Sequence, residues 1–403
     1  MILFTYTIMD RANINIPQSV LAKLGKSLHL QPNHPVGIIS KLVVDYFRSL
    51  EGRNFTVHTD MSPIVSTQQN FDDLLIPSDH PARSKSDTYY FDENTVLRTH
   101  TSAHQTEHLR AGHNAFVAIG DVYRKDEIDR SHYPVFHQIE GVYIFDDEQD
   151  VEVISKDLIH VLLGLCQVLF PGAETRVNDD YFPFTHPSYE VEVFHNGKWI
   201  EILGCGVVQP KILENCSDAN PALLNVDGEL KRGWAFGIGL DRLAMILFEI
   251  PDIRLLWVAD EKFTSQFKEG QIIKFIPYSI LDPLEKDVSF WIPEDQISHK
   301  PDLTESDPEC EDYINGYRWL RENDMSDLIR EVANAHYSDI VESVECFDQF
   351  YHPKKSQLSR AYRIKYSVPD PKMNNSAELT TMCNTLHSEI GAKLSESLGV
   401  TIR

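Results

Sequence analysis

Four residues in one stretch of the chain are of types that could bind and react with a small molecule. Arg124 ends an apolar run, and after a charged loop Phe136, Gln138 and Glu140 follow at alternate positions. Alternate residues of a β-strand share one face of the sheet. A guanidinium is a planar clamp for phosphate or carboxylate, while the other three could stack on a ring and bind an ammonium group. Because a buried carboxylate without a ligand is costly, we interpret this stretch as a site; for Arg124 alone, a solvated hairpin arginine is the alternative.

A glycine-rich segment that runs into a helical pattern is the second candidate. Residues 233–242, GWAFGIGLDR, precede LAMILFEI and end with Arg242 in the first helical turn. Small residues before a helix allow its backbone amides and dipole to face an anion. The glycine spacing fits neither a dinucleotide fingerprint nor a P-loop, so a glycine-rich strand packed on a helix is the alternative.

Composition restricts the class of protein. The chain has 403 residues, is 42% hydrophobic and 24% charged, and contains six scattered cysteines without a C-x-x-C pair. These values predict two or three soluble domains in a reducing compartment, with no zinc site or disulfide framework. No apolar run approaches the ~20 residues of a membrane span. The first twenty residues hold one arginine and one aspartate, which makes a poor transit peptide.

A local basic strip stands out against a net charge of −24. The whole surface is therefore unsuited to non-specific nucleic-acid binding, but residues 326–403, with nine Lys or Arg and ten Asp or Glu, are almost neutral. No acid occurs between Gln349 and Pro369. The strip consists of Lys354, Lys355, Arg360, Arg363 and Lys365. We predict that RNA approaches here; a solvated turn is the alternative.

Hairpins should hold the first candidate site. Residues 116–119 and 141–145 are typical of paired strands, and 189–203 alternates on both sides of Asn196-Gly197, a type I′ turn signal. Between about residue 94 and 250 strands outnumber helices, so the central sheet should be mostly antiparallel in an α+β fold. Helices are predicted from Asn33-Pro35 and after Ser155.

The C-terminal part has a β-α-β-β-α-β pattern, typical of a ferredoxin-like domain. Residues 294–312 interrupt it with eight acids, one lysine and two prolines, which predicts a disordered insert or loop. The predicted strands are 287–292, 340–350, 358–368 and 400–403, and the predicted helices are 326–336 and 378–398.

Several ordered motifs resemble the phenylalanyl-tRNA synthetases, a class II aminoacyl-tRNA synthetase family, in the single-chain form of mitochondria and plastids. The motifs are RTHTSAHQ (98–105), FHQIEG (136–141), YFPFTHPS (181–188), LGCG (203–206) and GWAFGIGLDRLAMILFEIPDIR (233–254). The resemblance covers nearly the whole chain and departs at 294–325 and after Tyr366. It implies a class II catalytic domain, 1–283, with an N-terminal extension, 1–33. A ferredoxin-like anticodon-binding domain, 284–403, would carry the acidic insert at about 294–325.

The resemblance also implies residue roles. Arg124 would hold the ATP α-phosphate and the amino-acid carboxylate, and Phe136 and Arg242 would sandwich the adenine, which makes the two arginines the catalytic residues. Asp126 and His132 would reach the adenine edge and the triphosphate. The phenylalanine site would comprise His100, Ser102, Gln105, Gln138, Glu140, Phe182, Phe184, Ala235 and Gly237.

The implied reaction joins phenylalanine to tRNA(Phe) in two steps, through an adenylate and then the 2′-hydroxyl of the terminal adenosine. ATP would bring Mg²⁺, without a protein-only metal site. The family resemblance further implies a monomer in the mitochondrial matrix or a plastid, with the anticodon on the basic strip. A synthetase-like RNA-binding or regulatory protein without aminoacylation activity is the alternative; such relatives usually lose the two arginines present here. A metal hydrolase using His104 and His108 is a weaker rival, because the spacing is not H-E-x-x-H.

Overall fold

A computed structural model describes residues 14–147, 149–259, 261–277, 282–299, 316–337, 339–352, 354, 357–367 and 376–403. Its strands are β1 Thr56–His58, β2 Ile64–Ser66, β3 Thr95–Leu97, β4 Ala115–Tyr123, β5 Val135–Ile144, β6 Thr175–Asp180, β7 Thr185–His195, β8 Lys198–Val208, β9 Gly233–Gly239, β10 Leu284–Ile292, β11 Ile297–His299, β12 Tyr317–Trp319, β13 Val341–His352, β14 Gln357–Tyr366 and β15 Thr401–Ile402. Its α-helices are α1 Gln18–Leu21, α2 Pro35–Ser49, α3 Thr67–Asn70, α4 Gln105–Arg110, α5 Val151–Leu169, α6 Pro210–Ser217, α7 Leu240–Leu247, α8 Glu261–Thr264, α9 Glu322–His336 and α10 Ser376–Leu398.

The larger sheet has seven strands in the order β1-β4-β5-β9-β8-β7-β6. Only the pair β1–β4 is parallel, so the predicted antiparallel character of the central sheet is confirmed. The turn between β7 and β8 is the predicted one, since Asn196 and Gly197 have φ values of 51° and 83°, as a type I′ turn requires.

One face of this sheet is sealed by helices, and the other carries the polar residues. Apolar side chains of α2, α5 and α7 pack with Val117, Ile139 and Ile238 in the main core. The opposite face is covered at one end by α4 and α6, which pack on Phe116 and Val142. The rest of that second face, which includes Glu140, lines a cavity.

The second sheet is antiparallel in the order β13-β14-β10-β15 and packs against α9 and α10 around its own core. Its elements follow the predicted β-α-β-β-α-β order. Residues 300–315 of the predicted acidic loop lie outside the described residues, but the loop prediction is wrong at 297–299, because Ile297 to His299 pair with Tyr317 to Trp319 as strands. Trp319 is buried in the second core, which holds this hairpin in place.

The helix predicted after Ser155 begins earlier than predicted, at Val151, with Asp150 as its N-cap residue. Across the residues that the structure describes, no helix combines the length and apolarity that crossing a bilayer demands.

Candidate active site

A cavity of about 890 Å³ opens on the sheet face that bears Glu140. The structure brings together at its wall all the residues predicted to contact phenylalanine or ATP. These are His100, Ser102, Gln105, Arg124, Asp126, His132, Phe136, Gln138, Glu140, Phe182, Phe184, Ala235, Gly237 and Arg242. They come from four separate stretches of the sequence, 100–105, 124–140, 182–184 and 235–242, so the fold and not chain proximity assembles this cavity.

Strand register explains the floor of the cavity. Gln138 lies opposite Gly120 of β4 and Gly239 of β9, and Glu140 lies opposite Gly237. A Cβ added to Gly237 would have no heavy atom within 4 Å. Gly237 and Gly239 therefore leave open space beside the polar side chains of β5, which is what a ligand lying across these strands needs.

Arg124 stands at the end of β4 with its side chain open to the cavity. Its Nε donates to the carbonyl of Thr99 at 2.8 Å, and its guanidinium carbon lies 5.2 Å from the centroid of the Phe136 ring. Burial lowers the pKa of Arg124, but an arginine remains protonated at neutral pH. The structure thus presents a fixed cation beside an aromatic face, suited to a phosphate next to a flat base.

Glu140 and His100 mark the most enclosed part of the cavity. Glu140 is 4% exposed, and its Oε1 has no hydrogen-bond partner among the residues that the structure describes. Burial raises the pKa of Glu140 to about 7, against a hydrogen bond from Ser102 and the charge of Arg98. Burial also lowers the pKa of His100 to about 3, so its imidazole is neutral. A buried carboxylate oxygen in this position can accept hydrogen bonds from a polar group that enters the cavity.

Two aromatic rings form an apolar wall near this polar end. Phe182 and Phe184 are stacked with centroids 5.8 Å apart at 15°. A Cβ on Gly204 of β8 would lie 2.6 Å from Cζ of Phe182, so only glycine there leaves the ring in place. Ala235 of β9 also lines the cavity. A flat apolar group would fit between these rings and β9.

Sequence reasoning missed three residues that support or line the site. Asp241 is buried and accepts from the backbone N–H of His137 at 2.6 Å, which fixes the first turn of α7 and hence the adjacent Arg242. Glu201 of β8 lines the cavity, and burial together with Glu190 raises its pKa. The period-2 pattern of 198–208 was the available signal for Glu201; nothing local identified Asp241 beyond an acid in a first helical turn.

Arg98 is the third. Its guanidinium is 1% exposed and donates to Oδ1 of Asp121 at 2.9 Å, beneath the segment that carries His100 and Ser102. A Cβ on Gly120 would lie 1.9 Å from its Nη2. The signal was Gly120 itself, because a glycine inside a strand often marks a close approach.

The predicted basic strip does not form one surface. Arg360 is a correction: it is 1% exposed and pairs with Glu322 at 2.5 Å, because it lies on the helix-covered face of β14. Arg363, on the other face, pairs with Asp287 at 2.8 Å, and Lys365 pairs with Glu342 at 2.9 Å. Lys354 lies in the turn between β13 and β14, and the predicted contact at Lys355 falls outside the described residues.

Comparisons with known proteins place this site in a family. The family described as tRNA synthetases class II core domain (F) matches residues 15–267. The chain is 42% identical to "Phenylalanine--tRNA ligase, chloroplastic/mitochondrial" of Arabidopsis thaliana, over 98% of this chain and 84% of that protein. This chain belongs to the phenylalanine–tRNA ligase family. It is also 40% identical to the mitochondrial phenylalanine–tRNA ligase of Mus musculus, over 87% of this chain and 78% of the mouse protein. It is 34% identical to the mitochondrial phenylalanine–tRNA ligase of Saccharomyces cerevisiae, over 98% of this chain and 93% of the yeast protein.

In this member of the phenylalanine–tRNA ligase family, the histidines that suggested a hydrolase have other partners. His104 Nε2 lies 3.1 Å from Arg98 Nη1, and His108 stacks on His58 with centroids 3.9 Å apart. Among the residues that the structure describes, no three His, Cys, Asp or Glu side chains are grouped as a metal site. The arrangement fits imidazoles that serve packing and support.

Proposed function

We propose that this phenylalanine–tRNA ligase activates phenylalanine with ATP in the cavity at Arg124 and Glu140, and transfers it to tRNA(Phe). The observation that carries the proposal is the pairing of an unsatisfied buried carboxylate with a fixed arginine along one cavity. An amino acid has an ammonium and a carboxylate on one carbon, so it can satisfy Glu140 and then face Arg124. Both arginines are in place, which favours catalysis over the non-catalytic alternative.

Phenylalanine binding uses both ends of the enclosed region. Its ammonium donates to Oε1 of Glu140, with Gln138 and Gln105 as neighbouring polar groups and His100 as a neutral acceptor. Its ring lies against Phe182 and Phe184, where aromatic pairs prefer edge-to-face or offset contact. Enclosure of the ring excludes a para-hydroxyl, because a buried hydroxyl without a partner is costly.

ATP occupies the wider part of the cavity. The adenine stacks on Phe136 with the guanidinium of Arg242 on its other face, and Arg124 contacts the α-phosphate. Asp126 and His132 lie towards the adenine edge and the triphosphate. Mg²⁺ bound with ATP would supply positive charge to the phosphates. A cavity-lining carboxylate such as Glu201 would be a suitable ligand, because Mg²⁺ takes one or two carboxylates plus phosphate oxygens.

The chemistry needs no protein nucleophile. A phenylalanine carboxylate oxygen attacks the α-phosphorus in line, a bond forms between them, and the bond to the bridging oxygen breaks to release pyrophosphate. A ribose hydroxyl of the terminal adenosine then attacks the phenylalanyl carbonyl carbon; the ester bond forms, the bond from that carbon to the phosphate oxygen breaks, AMP leaves, and the hydroxyl proton passes to AMP or solvent. Arg124 compensates the charge that develops on the α-phosphate, so catalysis is positioning and electrostatic stabilisation.

The C-terminal domain, 284–403, is proposed as a ferredoxin-like domain that binds the anticodon stem and loop. Its strand order, β13-β14-β10-β15, supports this assignment. With Arg360 buried, the contacts proposed for RNA are Lys354, Arg363 and Lys365. Because the relatives named above are organellar, we further propose a mitochondrial or plastid location and a monomeric enzyme.

The test is phenylalanine-dependent exchange of pyrophosphate into ATP by the purified protein. Exchange with phenylalanine, and at least a hundredfold less with tyrosine as matched control, is expected. No exchange with any amino acid, from a protein that unfolds cooperatively and binds tRNA(Phe), would favour the non-catalytic alternative.

A further inference from the structure

The loop that joins β4 to β5 reaches out of the catalytic domain and is held by the C-terminal domain. We call residues 124–134 the ATP arm, because under the proposed function it carries Arg124, Asp126 and His132. Its base is closed by the backbone N–H of Arg124, which donates to the carbonyl of Pro134 at 3.1 Å. Near its end, the Asp129 carboxylate accepts from the backbone N–H groups of Ser131 and His132.

Three consecutive carbonyls of the arm accept hydrogen bonds from the C-terminal domain. Arg330 of α9 donates through Nη1 to the carbonyl of Asp126 at 2.7 Å and through Nη2 to the carbonyl of Glu127. The backbone N–H of Val344 in β13 donates to the carbonyl of Ile128 at 2.8 Å. A buried backbone carbonyl needs such a partner, and here each partner belongs to the other domain.

Side chains of the arm also contact the C-terminal domain. Ile128 is 4% exposed and packs in the core of the C-terminal domain, not in that of the catalytic domain. Nζ of Lys125, the residue after the catalytic arginine, lies 2.7 Å from Asp324 and 3.7 Å from Asp327 of α9. The side chains of Lys125, Asp324 and Asp327 are all largely buried, so removing one of them leaves a buried charge without its partner.

One face of α9 provides most of these contacts. Asp324, Asp327 and Arg330 are spaced three residues apart, which places them along one side of the helix. Asn323 on the same helix bonds instead to the Asp87 side chain at 3.2 Å; Asp87 lies outside the arm and touches it only through its carbonyl, which accepts from the backbone N–H of Lys125 at 2.9 Å. Among the residues that the structure describes, Arg330 alone joins two successive arm carbonyls, in the fork geometry that a guanidinium offers.

We propose that Arg330 is a positioning residue for ATP: it holds the ATP arm from the C-terminal domain, so that phenylalanine activation depends on a domain that contributes no residue to the chemistry. The inference rests on the proposed function of the arm. If the arm is ordered only part of the time, the apparent affinity for ATP falls by that fraction. Saturating ATP then selects the ordered arm and restores the rate.

The experiment measures ATP–pyrophosphate exchange for the parent, Arg330→Ala, Arg330→Lys and the matched control Asn323→Ala, with thermal unfolding of each. Loss of two charged hydrogen bonds, offset in part by the arm contacts that remain at Lys125 and Ile128, should raise the KM for ATP about tenfold in Arg330→Ala. The KM for phenylalanine and the kcat at saturating ATP should change less than twofold, because Arg124, the one arm residue that faces phenylalanine under the proposed function, is also held by its hydrogen bond to the carbonyl of Thr99 in the catalytic domain. Arg330→Lys, which keeps one bond and the charge, should show about a threefold rise, and Asn323→Ala less than a twofold one.

Three results would overturn the proposal. The first is an unchanged KM for ATP in folded Arg330→Ala and Arg330→Lys. The second is a parallel rise of the KM values for ATP and phenylalanine, and the third is an equal effect in Asn323→Ala; either of these would mean general loosening between the domains. If Arg330→Ala does not fold, Arg330→Lys decides. Absence of exchange in the parent would instead refute the proposed function, so the two failures are distinguishable.

Discussion

Titration of Glu140 should control phenylalanine binding near neutral pH. Its pKa is raised to about 7 by burial, and only the carboxylate can pair with the ammonium group. The ionised fraction is then about nine-tenths at pH 8 and about one-tenth at pH 6, and an apparent dissociation constant scales inversely with that fraction. The KM for phenylalanine should therefore rise roughly eight- to tenfold from pH 8 to pH 6, with a much smaller change in the KM for ATP.

The same shift predicts a stability effect with a defined sign. Between pH 4.5, the ordinary pKa of glutamate, and about pH 7, the folded protein holds a proton on Glu140 that the unfolded chain has released. The folded state binds more protons, so the contribution of Glu140 to stability falls as pH rises through this window. A shift of this size corresponds to about 3 kcal/mol. Glu140→Gln, which cannot ionise, should thus gain stability relative to the parent at pH 8 and much less at pH 5.

Steady-state exchange kinetics and urea unfolding of the parent and Glu140→Gln, at pH 5, 6, 7 and 8, measure both effects. The titration of phenylalanine itself is common to the two proteins and cancels in the comparison. A KM for phenylalanine that is flat in the parent, or that rises equally in Glu140→Gln, would refute the assignment of Glu140 to the ammonium. A stability difference independent of pH would refute the raised pKa.

Further predictions concern the remaining parts of the site. Arg124→Ala should lower exchange by two or more decades, since one such transition-state contact is worth ~3–4 kcal/mol; near-normal exchange in a folded variant contradicts its role. Ala235→Gly should raise activation of para-chlorophenylalanine relative to phenylalanine, by about 1–3 kcal/mol of discrimination, and an unchanged ratio excludes Ala235 from the ring pocket. Gly204→Ala should displace the Phe182 ring and raise the KM for phenylalanine; unaltered kinetics would show that this ring does not line the pocket. Lys354→Glu combined with Arg363→Glu should weaken tRNA charging and flatten its salt dependence while exchange persists, and equal damage to both reactions argues against an RNA contact.

The seven-stranded sheet could be predicted from the sequence because the patterns that indicate its strands and turns are local. Alternation places Phe136, Gln138 and Glu140 on one face, and Asn196-Gly197 sets a hairpin whatever surrounds it. Arg360 was misplaced for a physical reason. Basic residues at 360, 363 and 365 of one strand must divide between its two faces, and the burial of Arg360 depends on Glu322, which is distant in sequence.

The contacts between the domains could not be predicted from local patterns. Lys125 and Asp324 are 199 residues apart, and each reads as an ordinary surface charge in sequence. Ile128 was a visible clue to the domain contact, because it is an isolated apolar residue in a charged loop. In a solvated hairpin its side chain would be exposed to water, whereas here it packs in the core of the C-terminal domain. Long-range pairing of this kind is fixed by the docked tertiary structure.

Charging of a tRNA(Phe) transcript by the purified protein tests the central claim most directly. Labelled phenylalanine, ATP and Mg²⁺ are supplied, with a transcript whose terminal ribose has been oxidised by periodate as the control. We predict that phenylalanine becomes attached to the intact transcript, not to the oxidised one, and that Arg124→Ala lowers the rate by two or more decades. A folded protein that binds the transcript and activates no phenylalanine, or a parent and Arg124→Ala with equal rates, would contradict the account.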